Sequence, residues 1–443
     1  MATIKTHTYD VIVIGGGSAG LAAAEAAVST GAKVCIVERE ALGGDCPHWA
    51  CVPTKALLRS AVLYNQLRHA GEFGITAMNV QFSFRAMAAR RARVVKTVTG
   101  DDKRLFARMK EAGIDVVYGS AAFVNATTVA VGKKKLTAKA FVIATGAEDA
   151  VPPIAGINDV HFLTSRDVTQ LRVLPKSVCV VGGGPVGCEF ATLFSLLRSR
   201  TTVIEAGKSL LPREDVDIAT LAAASLRGHG ATVLTGTKVL GVVRVGKNIR
   251  VTYQVGDKPR TTVTVAALVL AVGRRPRVHG LGLEKIDEQS HIFYAGDASG
   301  GMQFTHVAHF QGTSAGLAAV GRGRTAPSLV IPRVTFVEPE VASVGVTEVE
   351  ARKTHRGIRV AKFPVGALSR AVIDDERDGL LKVIVGAKGK ILGAHVTGNR
   401  AGEVIHELAL AMHAGIPFAD VAAMLHAFPT YSESIPAAFD YLV

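Results

Sequence analysis

An α/β chain is predicted, with one parallel strand–turn–helix unit occurring twice and a smaller α+β domain after it. Three observations lead there. Val11–Ile14 and Val178–Val181 are short, mostly β-branched runs, the length of a fully buried parallel strand. Each runs directly into a glycine turn of the same spacing, Gly15, Gly17 and Gly20 in the first copy and Gly182, Gly184 and Gly187 in the second. Each turn leads into an alanine-rich helical pattern and then a second strand ending in an acid. The chain has 443 residues, enough for about three domains at roughly 150 residues each. Glycine is in excess, 46 of the 443 residues, against a usual ~7%.

The turns explain that excess. In such a Rossmann-like unit the first glycine makes the turn, the second lets backbone approach a pyrophosphate, and the third lets helix pack on strand. The helix N-terminus then offers N–H groups and partial positive charge to the phosphates. Lys33–Glu38 and Thr201–Glu205 are the second strands. Glu38 and Glu205 each fall 18 residues after the third glycine (38 − 20 and 205 − 187), near the ~20 expected for an acid that accepts from ribose hydroxyls. Two dinucleotide sites in one polypeptide imply electron traffic between two carriers.

Between the copies, Ala140–Ala144 reads as a strand ending at Thr145 and Gly146, and Pro152 with Pro153 marks an exit from the first domain. Beyond the second copy, the apolar stretch Val265–Val272 meets Gly273. Ile292–Ala295 is another strand, ending at Gly296 and Asp297. Asp297 there either binds a sugar-like hydroxyl chain or caps a turn. A helix beginning after Thr305 would aim its positive end at the same place. Val334–Val337 and Leu381–Val385 read as strands of the last domain, and Glu403–Ala414 as a helix stopped near Gly415.

Cys46 and Cys51 follow the first unit, in a segment from Gly43 to Lys55. Residues five apart in a regular helix are about 7.5 Å apart along its axis, too far for the ~4.4–6.8 Å between Cα atoms of a disulfide. A bridged pair therefore requires a broken helix. Pro47 suits a first turn and Pro53 limits regularity beyond it. The pair is either redox-active or two unpaired buried cysteines. No second Cys or His pair stands at zinc-ligand spacing, so no metal site is expected.

With these motifs the chain resembles the flavin-dependent pyridine nucleotide-disulfide oxidoreductases, which include dihydrolipoyl dehydrogenase, glutathione reductase and mercuric reductase. The resemblance spans nearly the whole chain. It rests on Gly15–Gly20, Gly44–Lys55, Ala144–Gly146, Gly182–Glu189, Ala271–Pro276, Gly296–Asp297 and Pro429–Glu433. It implies that the first unit binds FAD, through Gly15, Gly17, Gly20, Glu38, Gly44, Thr145, Gly146 and Asp297. The second would bind the nicotinamide nucleotide, through Gly182, Gly184, Gly187, Glu205 and Gly273. Glu205 implies NAD(H) over NADP(H), because a carboxylate repels an extra phosphate.

The resemblance also implies a Cys46–Cys51 redox disulfide, with Cys51 facing the flavin and Cys46 meeting the acceptor. Lys55 would pair with Glu189 beside the flavin, and Glu433 would belong to the catalytic set. The expected domains are FAD-binding over 1–150, NAD(P)-binding over 151–272, a return to the FAD region over 273–327, and a dimerisation domain over 328–443. A homodimer is implied, passing electrons between NADH, flavin and a small-molecule or metal-ion acceptor, in either direction.

Phe428 stands where disulfide reductases of this family carry a histidine base. Phenylalanine cannot move a proton, and losing a general base costs ~10²–10⁴ in rate. His426 and His48 are the candidates to replace it. Mercuric reductase also lacks that histidine but ends in a cysteine pair, and this chain ends without one. The interval from Gly273 to Gly296 is short for the family, and Pro185 stands where some members place a gating tyrosine. These departures open a second reading, a flavoprotein of quinone, diaphorase or transhydrogenase type that bypasses the thiols.

Lys and Arg total 51 against 37 Asp and Glu, a formal charge of +14. The densest runs are Lys133–Lys135 and Arg85–Arg93. A non-catalytic basic binding protein is the remote alternative. Aromatics are not interleaved with these runs as a single-strand groove requires, so neither nucleic acid nor membrane is expected as a partner. No apolar run approaches the ~20 residues of a spanning helix, no signal peptide is apparent, and a cytoplasmic protein is expected.

Overall fold

The computed structural model describes residues 7–101, 103–287, 289–323 and 330–443. The chain divides into two compact units, one of residues 1–56, 86–150 and 273–327, the other of 57–85, 151–272 and 328–443. The start of the last domain, expected near Ser328, lies outside the described residues.

The first unit is built on strands β1 (His7–Ile14), β2 (Val34–Glu38), β3 (Asp115–Tyr118), β4 (Ala121–Asn125), β5 (Thr128–Val131) and β6 (Lys134–Ile143), ordered β3-β2-β1-β6-β5-β4. β1, β2, β3 and β6 are parallel, with Ile14 level with Val37 and Ile143. All five residues of β2 are buried, as a strand covered on both faces requires. Helix α1 (Ser18–Val28) crosses one face, and the helix Thr305–Ala319 packs on it. Gly312 and Gly316 permit that approach: a Cβ on either would lie 2.1 or 2.2 Å from the carbonyl oxygens of Ala19 and Ala23.

In the second unit Ser177–Val181, Arg200–Ile204, Thr232–Leu234 and Ala267–Leu270 form a parallel sheet with the same third-second-first-fourth order. A three-stranded antiparallel sheet spans Thr237–Val265. The C-terminal part is a five-stranded antiparallel sheet, in which Leu380–Val385 covers the strand expected over Leu381–Val385, and Arg333–Thr335 ends two residues short of the expected Val337. The helix Ala401–Ala414 packs on it and stops at Gly415, whose φ of 70° is left-handed.

The grouping differs from the sequence expectation in two ways. Residues 57–85, expected within 1–150, belong to the second unit. The boundary falls within the eighteen-residue helix α3 (Cys51–Arg68), after Ala56. Residues 151–272 and 328–443 also form one unit. A buried ionic network joins them: Lys382, fully covered, lies 2.7 Å from Asp215, 2.9 Å from Asp217 and 2.6 Å from Glu348, and Arg333 lies 3.2 Å from Glu214. Among the described residues, the Gly273–Gly296 interval holds two three-residue strands, Arg274–Pro276 and Ile292–Tyr294, and a 3₁₀ turn at Leu283–Lys285.

Candidate functional site

The two glycine turns repeat one geometry. Gly15 has φ +104°, and a Cβ there would sit 2.3 Å from the Ala144 oxygen; Gly182 has φ +107° and the same 2.3 Å to the Ala271 oxygen. A Cβ on Gly20 would fall 1.8 Å from the Gly15 oxygen, and on Gly187 2.0 Å from the Gly182 oxygen. Gly17 and Gly184 are different: the nearest atom to a Cβ at Gly17 is 3.8 Å away, and none lies within 4 Å at Gly184. The first and third glycines are thus required by the chain itself, and the second leaves room for something else.

Both acids reach back into their turns. Glu38 accepts from the backbone N–H of Gly16 at 2.6 Å and of Glu40 at 2.6 Å. Glu205 accepts from Gly183 N–H at 2.6 Å and from Gly207 N–H at 2.5 Å. Gly16 and Gly183, not singled out by sequence, supply these donors. Their only signal was an uninterrupted run of three glycines in each turn.

A cleft of about 400 Å³ in the first unit brings together Gly17, Gly44, Cys46, Cys51, Thr145 and Asp297. Gly44 has φ 67° and ends the loop ahead of the cysteines. Thr145 Oγ donates to the Arg277 carbonyl at 2.5 Å, and Gly146 has open space where a side chain would be. Gly273 holds the nearby chain, accepting from Ala150 N–H at 3.0 Å. Asp297 sits in a 3₁₀ turn, Gly296–Ser299, lining the cleft; burial, then the charge of Asp45, raise its pKa against the pull of Arg274.

The helix break expected between the cysteines is present. Helix α2 (Asp45–His48) ends at Trp49, with φ −135°, and α3 starts at Cys51. Pro47 lies in α2 and Pro53 in the first turn of α3. No disulfide joins the two cysteines in this structure. They are mutually engaged: a hydrogen bond with Cys51, then burial, hold the Cys46 proton far above its ordinary range, while Thr305 and the charge of Lys55 pull it down. Cys51 Sγ lies 3.8 Å from Thr305 Oγ, at the start of the Thr305 helix, where partial positive charge favours a thiolate.

Lys55 is one turn beyond Cys51 in α3. Glu189, in the second unit, is 5% exposed, and its carboxylate accepts from Phe336 N–H at 3.1 Å. His48 Nε2 is 2.9 Å from the Leu42 carbonyl. His426 has both nitrogens engaged, with Met424 O at 2.9 Å and Glu407 at 2.8 Å. Glu433 accepts from Thr430 N–H at 2.9 Å in a capping box. Phe428 is 73% exposed.

Sequence reading gave no role to Arg274. Its guanidinium pairs with Asp45, donates to the Ala147 carbonyl at 2.7 Å, and lies 3.7 Å from both Asp149 and Asp297. Asp45 precedes it by 229 residues, beyond any local pattern. Among the described residues no group of three His, Cys, Asp or Glu could hold a metal, and no helix is long and apolar enough to cross a membrane.

Residues 9–312 match the family model for pyridine nucleotide-disulphide oxidoreductases, and residues 331–439 match that family's dimerisation domain. A dihydrolipoyl dehydrogenase of Bacillus subtilis is 33% identical, over 97% of this chain and 97% of its own length. A mercuric reductase of Bacillus cereus is 32% identical, over 98% of this chain and 71% of its own. Among solved structures, the HOCl-induced flavoprotein disulfide reductase RclA of Escherichia coli, as its Cu(II) complex, has a TM-score of 0.87 at 28% identity, covering 98% of this chain and 99% of that one.

Proposed function

The chain belongs to the pyridine nucleotide-disulphide oxidoreductase family, whose members bind FAD and a pyridine nucleotide, and from that premise we propose that it passes electrons from NADH through a Cys46–Cys51 redox pair to a disulfide or metal-ion acceptor. The observation that carries this reading is the helix break at Trp49, which leaves both thiols interacting in the cleft of the first glycine turn. The cleft suits FAD: open space at Gly17 beneath the N-terminus of α1 takes the pyrophosphate, and Glu38 and Asp297 accept from hydroxyls. When bound, FAD supplies the two-electron relay between nicotinamide and sulfur.

The chain's own groups do the rest. Gly184 and Glu205 hold the NADH backbone. Cys51, beside the Thr305 helix, is the thiol stabilised as an anion. Cys46 meets the acceptor. Lys55, one turn beyond Cys51 in α3, adds positive charge to the same region. In one cycle, the two electrons and proton of a hydride plus one solvent proton convert the disulfide to two thiols; the acceptor then takes both electrons, and the two protons pass to the sulfurs of a disulfide acceptor or, with a metal ion, to solvent. Phe428, in the base position, cannot move a proton, and His426 lies 2.8 Å from Glu407. That favours a metal ion, bound through sulfur, over a disulfide whose leaving thiolate needs protonation. Exposed Leu410, Met424, Leu425 and Phe428 in the dimerisation domain support a homodimer.

The test is a thiol count. Anaerobic NADH should expose two further alkylatable thiols per chain in air-oxidised protein, and none in Cys46→Ser Cys51→Ser. No gain in wild-type protein that still oxidises NADH with a quinone would replace this reading by the thiol-independent one that Phe428 favours. Coenzyme choice gives a separate prediction. Glu205→Ser should narrow the NADH preference over NADPH in kcat/KM by about 10-fold or more, because one repelling carboxylate is removed. An unchanged ratio would remove Glu205 from coenzyme selection.

A further inference from the structure

Three carboxylates converge on one cation in the FAD cleft. Arg274 pairs with Asp45 and lies 3.7 Å from Asp149 and 3.7 Å from Asp297. These side chains are well covered, with exposures of 25% for Arg274, 31% for Asp45, 24% for Asp149 and 20% for Asp297. Asp45 lines the same cleft as Gly17 and Gly44 and directly precedes Cys46. The glycine turn offers partial positive charge to a pyrophosphate. An uncompensated carboxylate beside it would oppose that attraction, and more strongly than in water because the site is half-buried.

We infer that Arg274 is a positioning residue that makes this cleft acceptable to an anionic dinucleotide: it neutralises Asp45 beside the phosphate turn and ties the Cys46-bearing helix to the Ala147 carbonyl. Arg274 is thereby a specific requirement of the Asp45 carboxylate. A chain with a neutral residue at 45 would not need it. The inference rests on FAD binding by the family and not on the thiol relay.

The experiment titrates FAD into the full-length apoprotein, following quenching of flavin fluorescence, for wild type, Arg274→Gln, Asp45→Asn and the double variant. Arg274→Gln should weaken FAD binding by about 30-fold, since removing one partner leaves a half-buried charge uncompensated. Its defect should shrink at high salt, where repulsion is screened. Asp45→Asn should bind at least as tightly as wild type, and the double variant should return to within about 3-fold of it. Thermal unfolding of each apoprotein is measured alongside. Unaltered affinity in Arg274→Gln overturns the inference, and so does a double variant as weak or as unstable as Arg274→Gln. The series is repeated in Cys46→Ser Cys51→Ser, where the same pattern is expected, so that failure of the thiol relay stays separate from failure of the charge argument.

Discussion

Cys51→Ser should lower turnover with disulfide or metal-ion acceptors by on the order of 10³-fold or more, while leaving NADH oxidation by a small quinone within about 3-fold of wild type. The large effect follows from where the sulfur sits. Cys51 opens α3 and lies 3.8 Å from Thr305 Oγ at the start of a fifteen-residue helix, so two helix N-termini favour charge on it. A serine hydroxyl there keeps the shape but cannot form or break a bond to Cys46. Steady-state assays with mercuric ion, glutathione disulfide, lipoamide and a quinone separate the outcomes. Wild-type rates with metal and disulfide acceptors in Cys51→Ser would take the thiols out of the mechanism.

Gly20→Ala should yield protein without flavin, and Gly187→Ala should yield flavin-bearing protein that NADH no longer reduces. Both added methyl groups meet backbone oxygen, at 1.8 and 2.0 Å. Backbone in a turn held between strand and helix cannot yield as a side-chain tip does, so the cost is at least the ~1–3 kcal/mol of ordinary overpacking. The damage is local to one turn in each variant. Gly184→Ala is the contrast: its methyl meets nothing within 4 Å, so the fold should persist while the KM for NADH rises. The ratio of flavin to protein absorbance and the rate of flavin bleaching by NADH give the readouts. A yellow Gly20→Ala protein with wild-type thermal stability would refute the steric argument.

The legible parts of this protein were those whose parts lie close together in the chain. Gly15 to Glu38 and Gly182 to Glu205 are each a single βαβ stretch, and their spacing alone named the turn, the helix and the acid. The cysteine segment was legible for a related reason: Pro53 cannot donate to the Trp49 carbonyl, where the helix that would otherwise hold Cys46 and Cys51 apart is broken. The roles of the histidines were less so. Position 426 is a candidate base by residue type, and its partners Met424 and Glu407 are visible only in the fold. Glu433, placed with the catalytic set by resemblance, makes its visible hydrogen bond to Thr430 in its own turn.

Sequence by itself determined the twin nucleotide-binding turns, the buried parallel strands that lead into them and the thiol pair, because sterics and periodicity act over a few residues. Only the tertiary structure decided which charges meet. Asp45 with Arg274, and Lys382 with Asp215 and Asp217, join residues 165 or more positions apart. A charged side chain reads the same in any local pattern. Its energy depends on how much water the fold removes and which opposite charge the fold brings within reach.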